Sequence, residues 1–303
     1  MKCKDSLDGV NIFVFQSKIN NMKIGLFLVG TKGQQVLESI VGDLDIEFVL
    51  SYNDKNTFDN SFYLMKGICI GRKIPFYEGK TLPPEEYDKV DKIIIIGWQF
   101  LLKDYLNKLI IIHDSRLPEY KGWSPTVQYL IDGRPYLAAT AFAPTMKMDT
   151  GDIYLQASAA IKYPMKIEKA IQIVSKLYVE LIKTIVTVNP TPYEMKGQES
   201  FCVWRDYKDY FIDWKQDAQT LKRFIDAVGY PFAGAKIKYE GKILTVIDAE
   251  AEELTIMNPT YGKIWSLDNG LPTVITYYGL LKITKIVDED GNDFKFKKLK
   301  VRL

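Results

Sequence analysis

The chain has 303 residues, 47% of them hydrophobic and 26% charged, enough to bury a large core and to form about two domains. Its 40 basic and 38 acidic residues leave a net charge of +2, spread without a long basic arm, so no dominating nucleic-acid footprint is present. Cys3, Cys69 and Cys202 are odd in number and lack a Cys-x-x-Cys pair, which argues against a disulfide framework or zinc site and for a reducing, cytoplasmic setting.

No stretch approaches the ~18 to 20 apolar residues of a membrane span, so no membrane partner is expected. Residues 1–21 lack the continuous apolar core of a signal peptide and are expected to be an extension ahead of Met22, which itself could serve as initiator. From Met22 the run to Gly30 reads as a first strand, with Thr31 as N-cap of a helix to Val41. Gly30-Thr31-Lys32-Gly33 invites a dinucleotide-binding reading but fails the Gly-x-Gly-x-x-Gly spacing, leaving a tight turn. Strands are expected at Ile46–Leu50, Ile74–Tyr77 and Lys92–Ile96, and a short helix at Phe100–Asn107. This alternation predicts an α/β fold, a Rossmann-like and mostly parallel sheet.

The only histidine, His113, ends the apolar run Leu109-Ile110-Ile111-Ile112, which reads as a buried parallel strand. Open α/β sheets place ligands at that carboxyl end. Pro118 and Gly122 cannot prolong the strand, so His113 stands at a strand-to-loop corner, either satisfied locally by the loop or available for chemistry. Asp149-Thr150-Gly151-Asp152 follows the β-prone run Tyr136–Phe142. Alone it is a polar turn. Beside an imidazole, Asp149 would orient the ring and favour its protonated form.

Helices are expected at Pro125–Ile131 and Ile167–Val188, the latter ending before Asn189-Pro190-Thr191-Pro192. The prolines and the polar segment after them set the expected organisation: extension 1–21, catalytic domain 22–190, linker 191–200 and C-terminal domain 201–303. In that last domain a helix at Asp217–Val228 is followed by β segments at Ala235–Tyr239, Ile243–Asp248, Leu254–Met257, Lys263–Leu267 and Leu280–Val287, a spacing that suggests a small β-barrel or sandwich.

The motif His-x-Ser-x-Leu-Pro-x-Tyr-Lys-Gly-x-x-Pro at 113–125, with Asp-Thr-Gly-Asp-Ile at 149–153, resembles the formyltransferases that use 10-formyltetrahydrofolate. Trp204-Arg205-Asp206, Ile212-Asp213-Trp214 and Ala233-Gly234-Ala235 are similar to that family's second domain, and the resemblance covers roughly residues 22–290. It implies an N-formyltransferase with 10-formyltetrahydrofolate as co-substrate, no metal, and His113 and Asp149 as catalytic residues. His113 would polarise or protonate the developing oxyanion and shuttle a proton, and Asp149 would orient it and accept the ammonium proton. The pterin would lie against Trp98, Gln99, Phe100 and Leu101. One position departs from the pattern: Ile111 stands where the family keeps an asparagine that stabilises the oxyanion.

Among the family's acceptors, initiator methionyl-tRNA asks for many phosphate contacts, which the balanced charge and the acidic segment Ser51–Asn60 do not offer. A nucleotide-linked (UDP or dTDP) amino sugar needs only one or two cations and an aromatic platform. Lys121, Trp123 and Lys80 are the expected substrate-binding residues, with Tyr207, Tyr210 and Trp214 as candidate caps. The implied enzyme is dimeric and serves bacterial surface-glycan (O-antigen) assembly. Methionyl-tRNA formyltransferase, and a catalytically impaired folate or nucleotide-sugar binder, are the alternatives.

Overall fold

The computed structural model describes residues 22–55 and 58–303, so the expected extension 1–21 lies outside the described residues. The N-terminal part runs β1 (Ile24–Leu28), α1 (Gly30–Ile40), β2 (Ile46–Ser51), α2 (Ser61–Arg72), β3 (Phe76–Glu78), α3 (Pro84–Tyr87), β4 (Lys92–Ile96), β5 (Leu109–His113), β6 (Lys121–Gly122), α4 (Pro125–Ile131), β7 (Tyr136–Phe142), β8 (Ile153–Ala160) and α5 (Ile167–Val188). After it come β9 (Phe201–Cys202), α6 (Ala218–Ala227), β10 (Ala235–Tyr239), β11 (Lys242–Glu252), β12 (Ile264–Asp268), β13 (Leu271–Ile275) and β14 (Leu280–Val287).

Seven strands form one sheet in the order β3-β2-β1-β4-β5-β7-β8. The first five are mutually parallel, and β7 and β8 add antiparallel edges. Every residue of β1 is buried, as expected of a strand covered on both faces. On one face lie α1 and α5, which pack on each other, α5 also covering β7 and β8. Chain order reverses direction between β1 and β4, so a crevice opens at their carboxyl ends, where doubly wound sheets bind ligands.

Several local expectations are corrected. Helix α1 begins at Gly30, so Thr31 is inside it rather than its N-cap, and its hydroxyl donates to Asp59 Oδ2 at 3.0 Å. Phe100–Asn107 is loop ending in a 3₁₀ turn, Leu106–Lys108, because Trp98 and Phe100 turn into an aromatic cluster instead of forming a helical stripe. Helix α2 lies between the expected second and third strands, where no element was expected; it is continuous through Gly67 and Gly71 and leaves Tyr63, Leu64 and Ile70 exposed. Residues 254–257 are loop, since β11 already ends at Glu252.

The C-terminal strands form a five-stranded antiparallel sheet, β10-β11-β14-β13-β12, packed on α6. Its edge strands β10 and β12 do not pair with each other, so the sheet is open rather than a hydrogen-bonded closed barrel. Helix α6 also packs on α4, where Arg223 Nε donates to the Ile131 carbonyl at 2.8 Å. The two parts therefore share an interface beside the crevice. Among the described residues no helix is long and apolar enough to cross a membrane.

Candidate functional site

His113 is the last residue of β5 and is 7% exposed. Its Nε2 lies 2.9 Å from the Tyr120 carbonyl. A carbonyl only accepts, so Nε2 carries the hydrogen, and in the neutral ring Nδ1 is left with a free lone pair. Tyr120 presents that carbonyl from a left-handed backbone conformation, φ 55°, rarely adopted by a bulky residue. The loop that imposes it is tied down throughout: Thr140 Oγ1 donates to Ser115 O and accepts from Leu117 N–H, and Gln156 Nε2 donates to Leu117 O.

Nδ1 faces Asp149 Oδ2 at 3.9 Å. Asp149 sits at φ 48°, which a short polar side chain tolerates, and its Oδ2 accepts from the Gly122 N–H at 2.6 Å. The turn depends on Gly151, at φ 141°: a Cβ there would stand 1.7 Å from the Ala143 carbonyl oxygen. The structure thus brings His113, at the end of β5, and Asp149, in the loop after the neighbouring strand β7, together, each held by backbone groups.

Both line a cavity of about 400 Å³ that also takes in Gly97–Leu102, Trp123, Lys147 and, from the C-terminal part, Pro231 and Phe232. Trp98, Gln99, Phe100 and Leu101 all border it. Trp98 packs on Phe27 at 5.1 Å and on Tyr52 at 5.3 Å between ring centroids. Its buried indole Nε1 has no hydrogen-bond partner among the described residues, and neither has the Tyr52 hydroxyl, which the Gln99 backbone approaches outside bonding geometry. Burial, reinforced by Asp54, pushes the Tyr52 phenol up to about 12, so it stays a neutral donor. Of the two donors, Trp98 borders the cavity, and an unpartnered indole donor beside an apolar wall is what a flat heteroaromatic with acceptor atoms would satisfy.

The other expected residues are placed less uniformly. Ile111 lines the cavity two residues before His113, so the side chain replacing the family's asparagine faces the site. Trp123 borders the cavity, but Lys121 points away: its side chain is 2% exposed and its Nζ pairs with Glu199 at 2.6 Å. Side chains alternate along even a two-residue strand, which turns Lys121 inward when its neighbours face the crevice. Lys80 lies in an adjoining groove with Nζ 4.0 Å from the Phe100 ring centroid. Tyr207, Tyr210 and Trp214 stand outside the cavity, Trp214 being buried in the C-terminal core.

One group in the site went unread in the sequence. Asp114, buried next to His113, pairs through Oδ2 with Lys32 Nζ at 2.7 Å and accepts from the Thr126 hydroxyl, with the Tyr178 phenol against it. Burial alone would raise this carboxyl; the Lys32 ammonium, His113 and the hydrogen bonds from Lys32 and Thr126 outweigh it and hold it well below the usual carboxylate range. The only sequence signal was a lysine in the turn after the first strand and an aspartate after the histidine, with no common period to join them.

An α/β fold with a histidine–carboxylate pair at its strand-end crevice, followed by a β domain on the same crevice, defines a class of group-transfer enzyme. The family model described as "Formyl transferase" matches residues 89–184, and "Formyl transferase, C-terminal domain" matches residues 206–300. The chain belongs to the formyl transferase family. It is 28% identical over 204 residues to a methionyl-tRNA formyltransferase of Caldicellulosiruptor saccharolyticus, covering 62% of this chain and 65% of the relative. Similar folds include an N-formyltransferase from Helicobacter canadensis solved with folinic acid and dTDP-3-aminofucose (TM-score 0.62, 14% identity, 90% of this chain and all of that one). They also include the methionyl-tRNA formyltransferase from Clostridium thermocellum (TM-score 0.56, 16% identity, 90% of this chain and 99% of that one).

Proposed function

We propose that this protein transfers a formyl group from 10-formyltetrahydrofolate to the primary amine of a nucleotide-linked amino sugar. The observation that carries the reading is the pair of acceptors, His113 Nδ1 and Asp149 Oδ2, 3.9 Å apart on the cavity lining. That spacing suits the two hydrogens of one amine nitrogen, which would be held and deprotonated there. His113, with Nε2 already fixed by Tyr120, takes the proton that leaves the nitrogen, and the Asp149 carboxylate stabilises the imidazolium that results. Protonated His113 then donates toward the formyl oxygen of the tetrahedral intermediate, covering the position where Ile111 supplies no amide. As the intermediate collapses, the bond from the formyl carbon to folate N10 breaks and the proton passes to N10, releasing tetrahydrofolate and the formylated amine. The formyl donor would sit against Gly97–Leu102 with its heteroaromatic ring reached by Trp98 Nε1.

For the acceptor, Trp123 supplies a flat wall and Lys147, exposed at the rim, a cation for a diphosphate. The acidic side chains of Asp54 and Asp59 on the same cavity wall oppose a polyanion such as tRNA and favour a compact, amine-bearing ligand. The apolar Ile111 favours a second reading, a folate or nucleotide-sugar binder without turnover.

Incubation with 10-formyltetrahydrofolate and a panel of UDP- and dTDP-amino sugars, with methionyl-tRNA as a further acceptor, decides by the mass gain of one formyl group. Transfer to a sugar nucleotide is expected. Transfer to methionyl-tRNA alone overturns the acceptor assignment, and folate binding without any transfer establishes the binder.

A further inference from the structure

The loop that holds both reacting side chains is itself held by the segment leading to the C-terminal domain. Tyr120 N–H donates to Ser200 Oγ at 2.8 Å, Lys121 N–H to Ser200 O at 2.8 Å, and Trp123 N–H to Cys202 O at 3.2 Å. In return Ser200 N–H donates to Pro118 O at 3.3 Å. Strands β6 and β9 pair in parallel through these contacts. A Cβ on Gly122, at φ 99°, would lie 2.3 Å from the Cys202 carbonyl oxygen, so the two backbones run too close for any other residue. The buried Lys121 ammonium anchors the same seam through Glu199.

This seam alternates with the site residue by residue. Tyr120 is fixed at its N–H by Ser200 and gives its carbonyl to His113 Nε2. Gly122 is fixed against Cys202 and gives its N–H to Asp149. Moving β9 would therefore move both backbone groups at once: the acceptor that decides which ring nitrogen of His113 is protonated, and the donor that aims the carboxylate.

We propose that the 199–202 segment is a positioning element for the His113–Asp149 pair, with Glu199, Lys121 and Ser200 as positioning residues. Through it the C-terminal domain holds His113 as the Nε2–H tautomer, leaving Nδ1 free toward the acceptor amine. The role in turnover rests on the formyl-transfer reading, whereas the effect on the tautomer does not.

The chain's single histidine makes the test direct, because every imidazole nitrogen signal in a long-range proton–nitrogen spectrum belongs to His113. At a pH above the ring's titration the intact protein should give the pattern of the Nε2–H tautomer. In the double variant Glu199→Gln, Ser200→Ala the spectrum should move to a mixture of tautomers. Turnover should fall about 10- to 100-fold with KM for the formyl donor unchanged, the scale of a misplaced catalytic group. Glu199→Asp, which keeps the pair with Lys121, should restore most of both. A matched unfolding midpoint establishes that the variants are folded. An unchanged tautomer in the folded double variant overturns the proposal, whatever happens to turnover. A tautomer shift in a protein that formylates no acceptor supports the positioning role and overturns the function assigned above.

Discussion

The two strand ends that bound the cavity are finished in opposite ways. At the end of β5 the polar groups are closed among themselves: His113 on Tyr120, Asp149 on Gly122, Thr140 on Ser115 and Leu117, Asp114 on Lys32 and Thr126. At the end of β4 the Trp98 indole N–H, and at the neighbouring end of β2 the Tyr52 phenol, are enclosed without hydrogen-bond partners among the described residues, in a wall with Phe27 and Phe100. Reaction geometry that must not shift is prepaid by the protein, while a surface meant for a ligand leaves hydrogen bonds for the ligand to complete.

The largest effect should come from breaking the closed end at its centre. His113→Ala should lower formyl transfer by about 10²- to 10⁴-fold, the range of a positioned acid–base group, while leaving the fold intact. Asp149→Asn should fall at the lower part of that range, because the amide oxygen still accepts from Gly122 but no longer stabilises an imidazolium. Turnover of either variant within a few-fold of the parent protein would remove these residues from the chemistry.

Next is the buried ion pair behind the histidine. Lys32→Met leaves the Asp114 carboxylate without its cation and should cost about 3 to 5 kcal/mol in denaturant unfolding, the usual penalty for an unpaired buried charge. The sign of the pH dependence follows from the carboxyl being held below its ordinary value. In the parent protein this pair contributes stability above the unfolded carboxyl pKa of about 4 and loses it as pH falls through the lower folded value. In Lys32→Met only His113 and the Thr126 hydrogen bond still oppose burial, so the carboxyl rises from its depressed value and less of this site's stability should be lost as the solution is acidified.

What was legible in the sequence divides along the same line. His113 and Asp149 each sit in a contiguous motif whose turn residues, Pro118, Gly122 and Gly151, announce the backbone that holds them. The parallel strands were legible because β4 and β5 each carry four consecutive aliphatic residues and β1 is apolar throughout. Lys121 was misread because a charge beside a glycine in a loop looks exposed, whereas the pairing with β9 turns it inward onto Glu199. The Lys32–Asp114 pair spans 82 positions and two strand ends, and no local pattern reports such a contact. Residues 100–107 have helix-forming composition, but rings at Trp98 and Phe100 that pack on Tyr52 take the backbone elsewhere.

A smaller effect tests whether the closed end is closed by necessity. Thr140 reaches Ser115 and Leu117 from β7 with one hydroxyl, and Thr140→Val would strip a buried N–H and a carbonyl of their partner at nearly constant shape. Unfolding should become easier by about 1 to 3 kcal/mol, the cost of stranded buried polar groups. Tyr120, whose carbonyl holds His113, stays fixed at its N–H by Ser200, so turnover should fall far less than in His113→Ala.

The smallest effect on the fold, and the sharpest contrast, belongs to Trp98→Phe. Replacing the indole removes an N–H that already lacks a partner among the described residues, which relieves a desolvation cost of about 1 to 3 kcal/mol. It also removes part of a ring packed on Phe27 and Tyr52, a loss of similar size in the opposite direction. The two nearly cancel, so the unfolding midpoint without ligand should move little. Binding should not cancel, because the indole N–H is worth most when an acceptor arrives. The affinity for tetrahydrofolate measured by calorimetry should fall about tenfold, equivalent to roughly 1.4 kcal/mol. A variant that loses stability in the manner of Thr140→Val yet binds folate unchanged would mean that the β4 end is ordinary core, and that the open donors there answer to nothing in the cavity.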